Sequence, residues 1–243
     1  MGIFRFKQFT VDDSRCGMKI GTDGVLLGSW ACAGNASSVI DAGTGSGLIA
    51  LMMAQRYRHA RIIGIDIDES SALDAKYNAS VSPWSDRIEI INTDVLGWTP
   101  DNHTPEVGHP LCIISNPPFF TEALHSPDSS RSLARHGSGF GIGTLIQWAS
   151  KIMTQNGDTL SFIAPADRDS EVQYQLSLSR LAAIRISDVR PRHDRKAIRR
   201  LYEVTRECDV KSPCLTETVT LREPDGSYTQ QYSILTGQFY LDK

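Results

Sequence analysis

The chain has 243 residues, 40% hydrophobic and 22% charged, which excludes disorder, collagen and coiled coil and leaves enough apolar mass for a sizeable core. Its net charge of −3 argues against a polycation that coats nucleic acid indiscriminately. No apolar run approaches the ~18 residues of a membrane span, and Met1 to Lys7 mixes charge into its apolar residues where an export signal needs an unbroken run, so a cytoplasmic protein without a lipid anchor is expected.

In chain order, Phe4, Phe6 and Phe9 and then Met18 to Gly24 read as an N-terminal extension laid against the ligand edge of a sheet, with glycines marking a close backbone approach. Ser38 to Ala42 is a short buried strand, followed by a Gly-rich turn and an apolar helix over Leu48 to Ala54. Arg61 to Asp66 is a second strand, Glu69 to Asn78 a helix, Arg87 to Ile91 a third strand and Leu111 to Ser115 a fourth. Thr144 to Thr154 predicts a helix, Thr159 to Ile163 a fifth strand, and Glu171 to Leu181 another helix. Ala183 to Val189 and Leu201 to Arg206 then form two strands without an intervening helix, a terminal antiparallel hairpin. The expected fold is α/β and doubly wound, with a mostly parallel seven-stranded sheet ending in that hairpin. One domain over 1–243 is expected, 1–36 being the extension and 37–243 the core. Five widely spaced cysteines (Cys16, Cys32, Cys112, Cys208, Cys214) without a C-x-x-C pair read as free thiols, and the scattered histidines indicate no metal site.

In such a sheet the ligand lies beyond the carboxyl ends of the strands. The first exit reads Asp41-Ala42-Gly43-Thr44-Gly45-Ser46-Gly47, whose glycines let the backbone pass under a ligand and point amides at it, with a helix N-terminus behind them. The dinucleotide fingerprint needs a third glycine at 48, where Leu stands, which disfavours NAD. Such a turn is equally common as a purely structural loop. Asp66 lies close to the spacing at which an acid meets ribose hydroxyls, the alternative being a cap of the next helix, for which Glu69 is the better candidate. Asp94 at the third exit can accept from an adenine amine or simply shape a turn.

The fourth exit, Asn116-Pro117-Pro118-Phe119, is the most specific. Two prolines fix the backbone and remove two donors, so the Asn116 oxygen and the Pro117 carbonyl can accept both protons of an exocyclic NH2 while Phe119 stacks on its ring. The bland alternative is a Pro-Pro strand terminator.

Together these residues resemble the class I S-adenosylmethionine-dependent methyltransferases, and the N-P-P-F tetrad resembles their amino-methylating branch. Phe6 to Phe9, Arg15 to Gly28, Ser82 to Ile88 and Gln238 to Leu241 extend the likeness over nearly the whole chain to the bacterial tRNA1(Val) (adenine-37-N6)-methyltransferases. The resemblance implies a Rossmann-like methyltransferase sheet and S-adenosyl-L-methionine as cofactor. It places Gly43, Gly45 and Gly47 along the methionine and sugar, Asp66 at the ribose, Asp94 at the cofactor's adenine, and Thr22 and Asp23 over the methionine end. Asp41, Thr44, Ile67 and Asn116 are counted with them. Asn116, Pro117, Pro118 and Phe119 would be catalytic, orienting the target amine. It implies transfer of methyl to N6 of an adenine in tRNA, adenine-37 next to the anticodon of tRNA1(Val); no obligate protein partner is indicated, and a monomer that needs no membrane is expected. Rival substrates with the same planar NH2 are guanine N2 of ribosomal RNA and the glutamine amide of a release factor; a cofactor-binding protein without catalysis is a further rival, disfavoured by the intact tetrad.

RNA contacts are expected from Arg131, Arg135 and His136 after the tetrad and from Arg192, Arg195, Lys196 and Arg199 in the hairpin. From Arg190 to Arg206 seven Lys/Arg face only Asp194 and Glu203, a basic strip on an otherwise acidic body. Any one of these arginines is as readily a solvated or ion-paired surface residue.

Overall fold

A computed structural model describes residues 2–100, 110–119 and 139–241. The chain runs β1 (Ile3–Arg5), β2 (Thr10–Asp12), α1 (Thr22–Trp30), β3 (Ser38–Ala42), α2 (Leu48–Arg56), β4 (Arg61–Asp66), α3 (Glu69–Ser80), β5 (Ile88–Asn92) and β6 (Leu111–Ser115). It continues through α4 (Ile142–Ile152), β7 (Thr159–Pro165), α5 (Asp169–Leu178), β8 (Leu181–Arg192), β9 (Arg199–Arg206), β10 (Leu215–Arg222) and α6 (Gln230–Thr236). The main sheet has the order β10-β8-β9-β7-β6-β3-β4-β5, with β9 antiparallel to both neighbours and all other pairs parallel. β1 and β2 pair separately.

The central strands are apolar on both faces because both faces are covered. On one side α4 and α5 bring Leu145, Ile146, Val172 and Leu176 against Ile40, Ile113, Leu160 and Phe162. On the other, α1 and α2 bring Leu26, Leu27, Ile49 and Met53 against Val39, Ile62, Cys112 and Ile163. The chain starts at β3 and proceeds first to β4 and β5, then back across to β6 and β7, so a crevice opens at the carboxyl ends of β3 and β6.

All seven expected strands are present, and β10 is an eighth, added parallel to β8. Helix α4 starts two residues before Thr144, because that threonine is the third helical residue: its hydroxyl accepts from Gly141 N at 2.9 Å. The cap of α3 is Asp68, not Glu69; its carboxylate accepts from Ser71 N at 2.8 Å.

The extension is held by aromatic contacts. Phe6 stacks on Phe9 at 4.6 Å and on Tyr240 at 6.0 Å, Phe9 meets Trp84 edge-on, and Lys7 N donates to Phe239 O, so the two chain ends close on each other. Helix α1 lies unusually close to α2: a Cβ on Gly24 would stand 3.2 Å from Leu48 Cδ2, and one on Gly28 2.7 Å from Met52 Sδ. This brings the start of α1 beside the start of α2. All five cysteines are free thiols. Among the described residues no helix is long and apolar enough to cross a membrane.

Candidate active site

The turn after β3 is fastened from within. Asp41 is fully buried, and its Oδ2 accepts from Thr44 Oγ1 at 2.6 Å and from Ala50 N at 2.9 Å. Ala50 is the third residue of α2, so its amide has no partner within the helix, and Asp41 supplies one from the strand. Burial pushes the Asp41 carboxyl up to about 7, against the lowering effect of those hydrogen bonds. Asp41 and Thr44 therefore shape the turn, with both side chains buried in the protein body.

The amides of the turn are also engaged. Gly43 N and Thr44 N both donate to Ile65 O at 2.9 Å, Gly47 N to Thr44 O at 2.9 Å, and Gly45 N to Asp66 Oδ2 at 2.7 Å. The expectation that these glycines aim amides at a ligand is thus overturned for Gly43, Gly45 and Gly47. All three have positive φ, a conformation that glycine adopts without strain. Over Gly43 lies Phe140, whose ring edge would be 3.1 Å from an added Cβ, and over Gly45 lies Cys16 Sγ, at 3.6 Å.

At the exit of β4, Asp66 uses one oxygen for Gly45 N and the other for Asp68 N at 2.9 Å. Burial raises its carboxyl pKa while both amides pull it down. Each oxygen keeps a lone pair for a further donor. Ile67 follows with 40% exposure, an apolar face beside the carboxylate. Asn92 Nδ2 donates to the carbonyls of Asp66 and Ile67 and so holds the β4 and β5 exits together. Half-buried Asp94 caps a short helical turn, Oδ1 accepting from Leu96 N at 2.9 Å.

At the exit of β6, Ser115 Oγ donates to Ala42 O at 2.6 Å and locks the tetrad to the Gly-rich turn. Pro117 is buried; Asn116, Pro118 and Phe119 are partly exposed. Phe119 packs against the cores on both sides of the sheet, which fixes its ring. The chain returns past Gly141, where an added Cβ would be 4.0 Å from Pro118 O. A floor of glycine, an acid at two neighbouring exits and a rigid amide-proline-aromatic corner thus meet at one sheet edge.

The family model of the methyltransferase small domain matches residues 19–139. A tRNA1(Val) (adenine(37)-N6)-methyltransferase of Porphyromonas gingivalis is 40% identical over 98% of this chain and 94% of its own length. Its Vibrio cholerae counterpart is 37% identical over 98% and 95%. The chain belongs to the tRNA1(Val) (adenine(37)-N6)-methyltransferase family. Among solved structures, a predicted O-methyltransferase of Agrobacterium tumefaciens has a TM-score of 0.65 at 22% identity, covering 89% of this chain and 96% of its own. TrmK of M. capricolum, solved with S-adenosyl-homocysteine, has a TM-score of 0.52 at 10% identity, covering 77% and 69%. At those identities the likeness is one of fold.

The expected RNA contacts divide. Arg131, Arg135 and His136 lie outside the described residues. Arg192 ends β8, and the turn to β9 carries Arg195 and Lys196, at the same sheet edge as Asn116 because β8 runs parallel to β7. Arg192 and Arg195 flank Asp194 at 3.5 and 3.7 Å, and Lys196 is exposed. Arg199 is not a loose surface cation: it bonds Asp23 and lies over Phe119. Thr22 and Asp23 open α1. Sequence reasoning missed Asn92 and Phe140. The Gly139-Phe140-Gly141 stretch, an aromatic between two glycines, was the available signal for the second.

Proposed function

We propose that the protein transfers a methyl group from S-adenosylmethionine to N6 of adenine 37 in tRNA1(Val). The observation that carries this is the intact Asn116 to Phe119 tetrad at the β6 exit, bonded through Ser115 to the Gly-rich turn of β3, in a chain that matches this family over almost its entire length.

The residues present fit the methyl donor. Asp66 offers acceptor lone pairs for ribose hydroxyls, Ile67 an apolar face, and Asp94 a carboxylate oxygen for an exocyclic amine. Gly43 and Gly45 line the turn beneath Phe140 and Cys16 without side chains of their own, Gly47 lets the turn pass close to α3, and Thr22 and Asp23 close the methionine end from the start of α1. When bound, S-adenosylmethionine supplies an electrophilic methyl carbon. Asn116 Oδ1 and the Pro117 carbonyl accept the two N6 protons, which aims the nitrogen lone pair, while Phe119 supports the base. No strong base is needed, since the nitrogen turns acidic only after it bonds carbon. Loop adenines are partly unstacked and so reach this corner at small cost. Arg192, Arg195 and Lys196 grip phosphates and position the RNA without reading it. Residues 1–243 act as one methyltransferase domain, with 1–36 as its cover, in a cytoplasmic monomer.

Asn116→Ala tests the assignment: turnover should fall about a hundredfold or more, with cofactor affinity held within about twofold. Equal losses in both would remove Asn116 from the transition state.

A further inference from the structure

Arg199 is the first residue of β9, and β9 runs opposite to β7, with Arg199 paired to Pro165 at the carboxyl end of β7. That reversal delivers a side chain of the hairpin to the edge where β6 releases the tetrad. Arg199 Nε donates to Asp23 Oδ2 at 2.8 Å, and the guanidinium carbon stands 5.2 Å from the centre of the Phe119 ring. Nη1 donates to Ile198 O at 3.1 Å, which fixes the planar group further. The side chains of Arg199 and Asp23 are only 30% and 27% exposed. Asp23 precedes Gly24, which abuts Leu48 at the start of α2, immediately after the Gly-rich turn.

A phosphate-gripping arginine presents its donors to solvent, whereas this one spends a donor on a carboxylate and a face on a ring. We propose that Arg199 is a positioning residue that couples the two halves of the site: it ties the cover of the cofactor, through Asp23, to the platform of the target base, Phe119. The proposal rests on the functional assignments given above for Thr22, Asp23 and Phe119. Asp23, held at the start of the packed helix α1, sets the guanidinium, and the guanidinium sets the ring on which the base lands. Lysine cannot replace it, because a point charge on a flexible stem does not both bond Asp23 and hold its charge over the Phe119 ring.

The test measures S-adenosylhomocysteine affinity by calorimetry, and affinity for a tRNA1(Val) transcript with and without S-adenosylhomocysteine, at two salt concentrations. The proteins compared are the parent, Arg199→Ala, Arg199→Lys, Asp23→Asn and the double variant. The parent should bind tRNA about fivefold or more tighter when S-adenosylhomocysteine is present, and the coupling should vanish in both Arg199 variants. Arg199→Ala and Asp23→Asn should weaken S-adenosylhomocysteine by similar factors, with the double variant no weaker than the worse single one. The proposal is overturned if coupling is absent from the parent, if it survives in Arg199→Ala, or if the only effect is a salt-dependent loss of tRNA affinity that Lys restores. The calorimetric comparison needs no RNA, so it judges Arg199 even if the transcript proves not to be a substrate. Methylation of the transcript by the parent judges the activity separately.

Discussion

Asp66→Asn opposes two effects in one side chain. Both carboxylate oxygens accept from backbone amides, Gly45 N at 2.7 Å and Asp68 N at 2.9 Å. An amide side chain has one oxygen, so its NH2 must face one of those two N–H groups, donor against donor. Losing one hydrogen bond to a charged acceptor costs about 1.5–3 kcal/mol. Against this, burial disfavours the ionised carboxyl, as its raised pKa shows, and the neutral amide escapes that penalty. The two offset, so unfolding in urea should show a net loss of only about 1 kcal/mol. Cofactor binding has no such offset. The ribose hydroxyls lose a charged acceptor, and the displaced Gly45 or Asp68 backbone moves the floor, so S-adenosylhomocysteine affinity should drop about ten- to a hundredfold by calorimetry. Affinity within threefold of the parent would refute the role assigned to this carboxylate.

Gly47→Ala should cost about 2–3 kcal/mol of unfolding free energy, because φ is +83° and the new Cβ would sit 3.3 Å from Ala75 on α3. Gly34→Ala, at φ +51° with nothing near the new Cβ, should cost about 1 kcal/mol from strain alone; equal losses would deny the α3 contact a role. Asp41 gives a pH signature in the cofactor-free protein. Its folded pKa of about 7 lies above the ordinary 3.8, so its proton stabilises the fold below about pH 4, and that contribution is lost as pH rises to about 7. Across this window the parent should lose on the order of 4 kcal/mol relative to Asp41→Asn, and a difference independent of pH would contradict the burial of a titrating group there.

Much of the fold is legible because a parallel sheet writes itself as unbroken apolar runs: Ile62 to Ile65 and Cys112 to Ile114 admit no other placement once helices alternate with them. β10 escaped for the opposite reason. In Leu215 to Arg222, Thr216, Thr218 and Thr220 alternate with Leu215, Glu217, Val219 and Leu221, so a charge interrupts the apolar face of an edge strand, a weak signal once the regular alternation has ended. The place of the site was legible where backbone constraint is written in residue type, as in Asn116-Pro117-Pro118-Phe119, which leaves β6 beside the Gly-rich turn. It failed where a polar side chain can turn either way. Asp41 and Asp66 look alike as strand-end acids, yet Asp41 is fully buried and uses one oxygen within the turn, while both oxygens of Asp66 accept from amides at the β4 exit. Their partners distinguish them, Thr44 Oγ1 and Ala50 N for Asp41 against Gly45 N and Asp68 N for Asp66. Arg199 read as one more cation of a basic strip, since nothing local announces that an antiparallel strand carries it to Asp23 and Phe119.

The most direct measurement incubates the purified protein with labelled S-adenosylmethionine and an unmodified tRNA1(Val) transcript, then digests the RNA and maps the label by mass analysis. N6-methyladenosine confined to position 37, and absent with Asn116→Ala, is the predicted result. An unlabelled transcript, with the methyl appearing instead on guanine N2 of ribosomal RNA or on a protein glutamine, would contradict it.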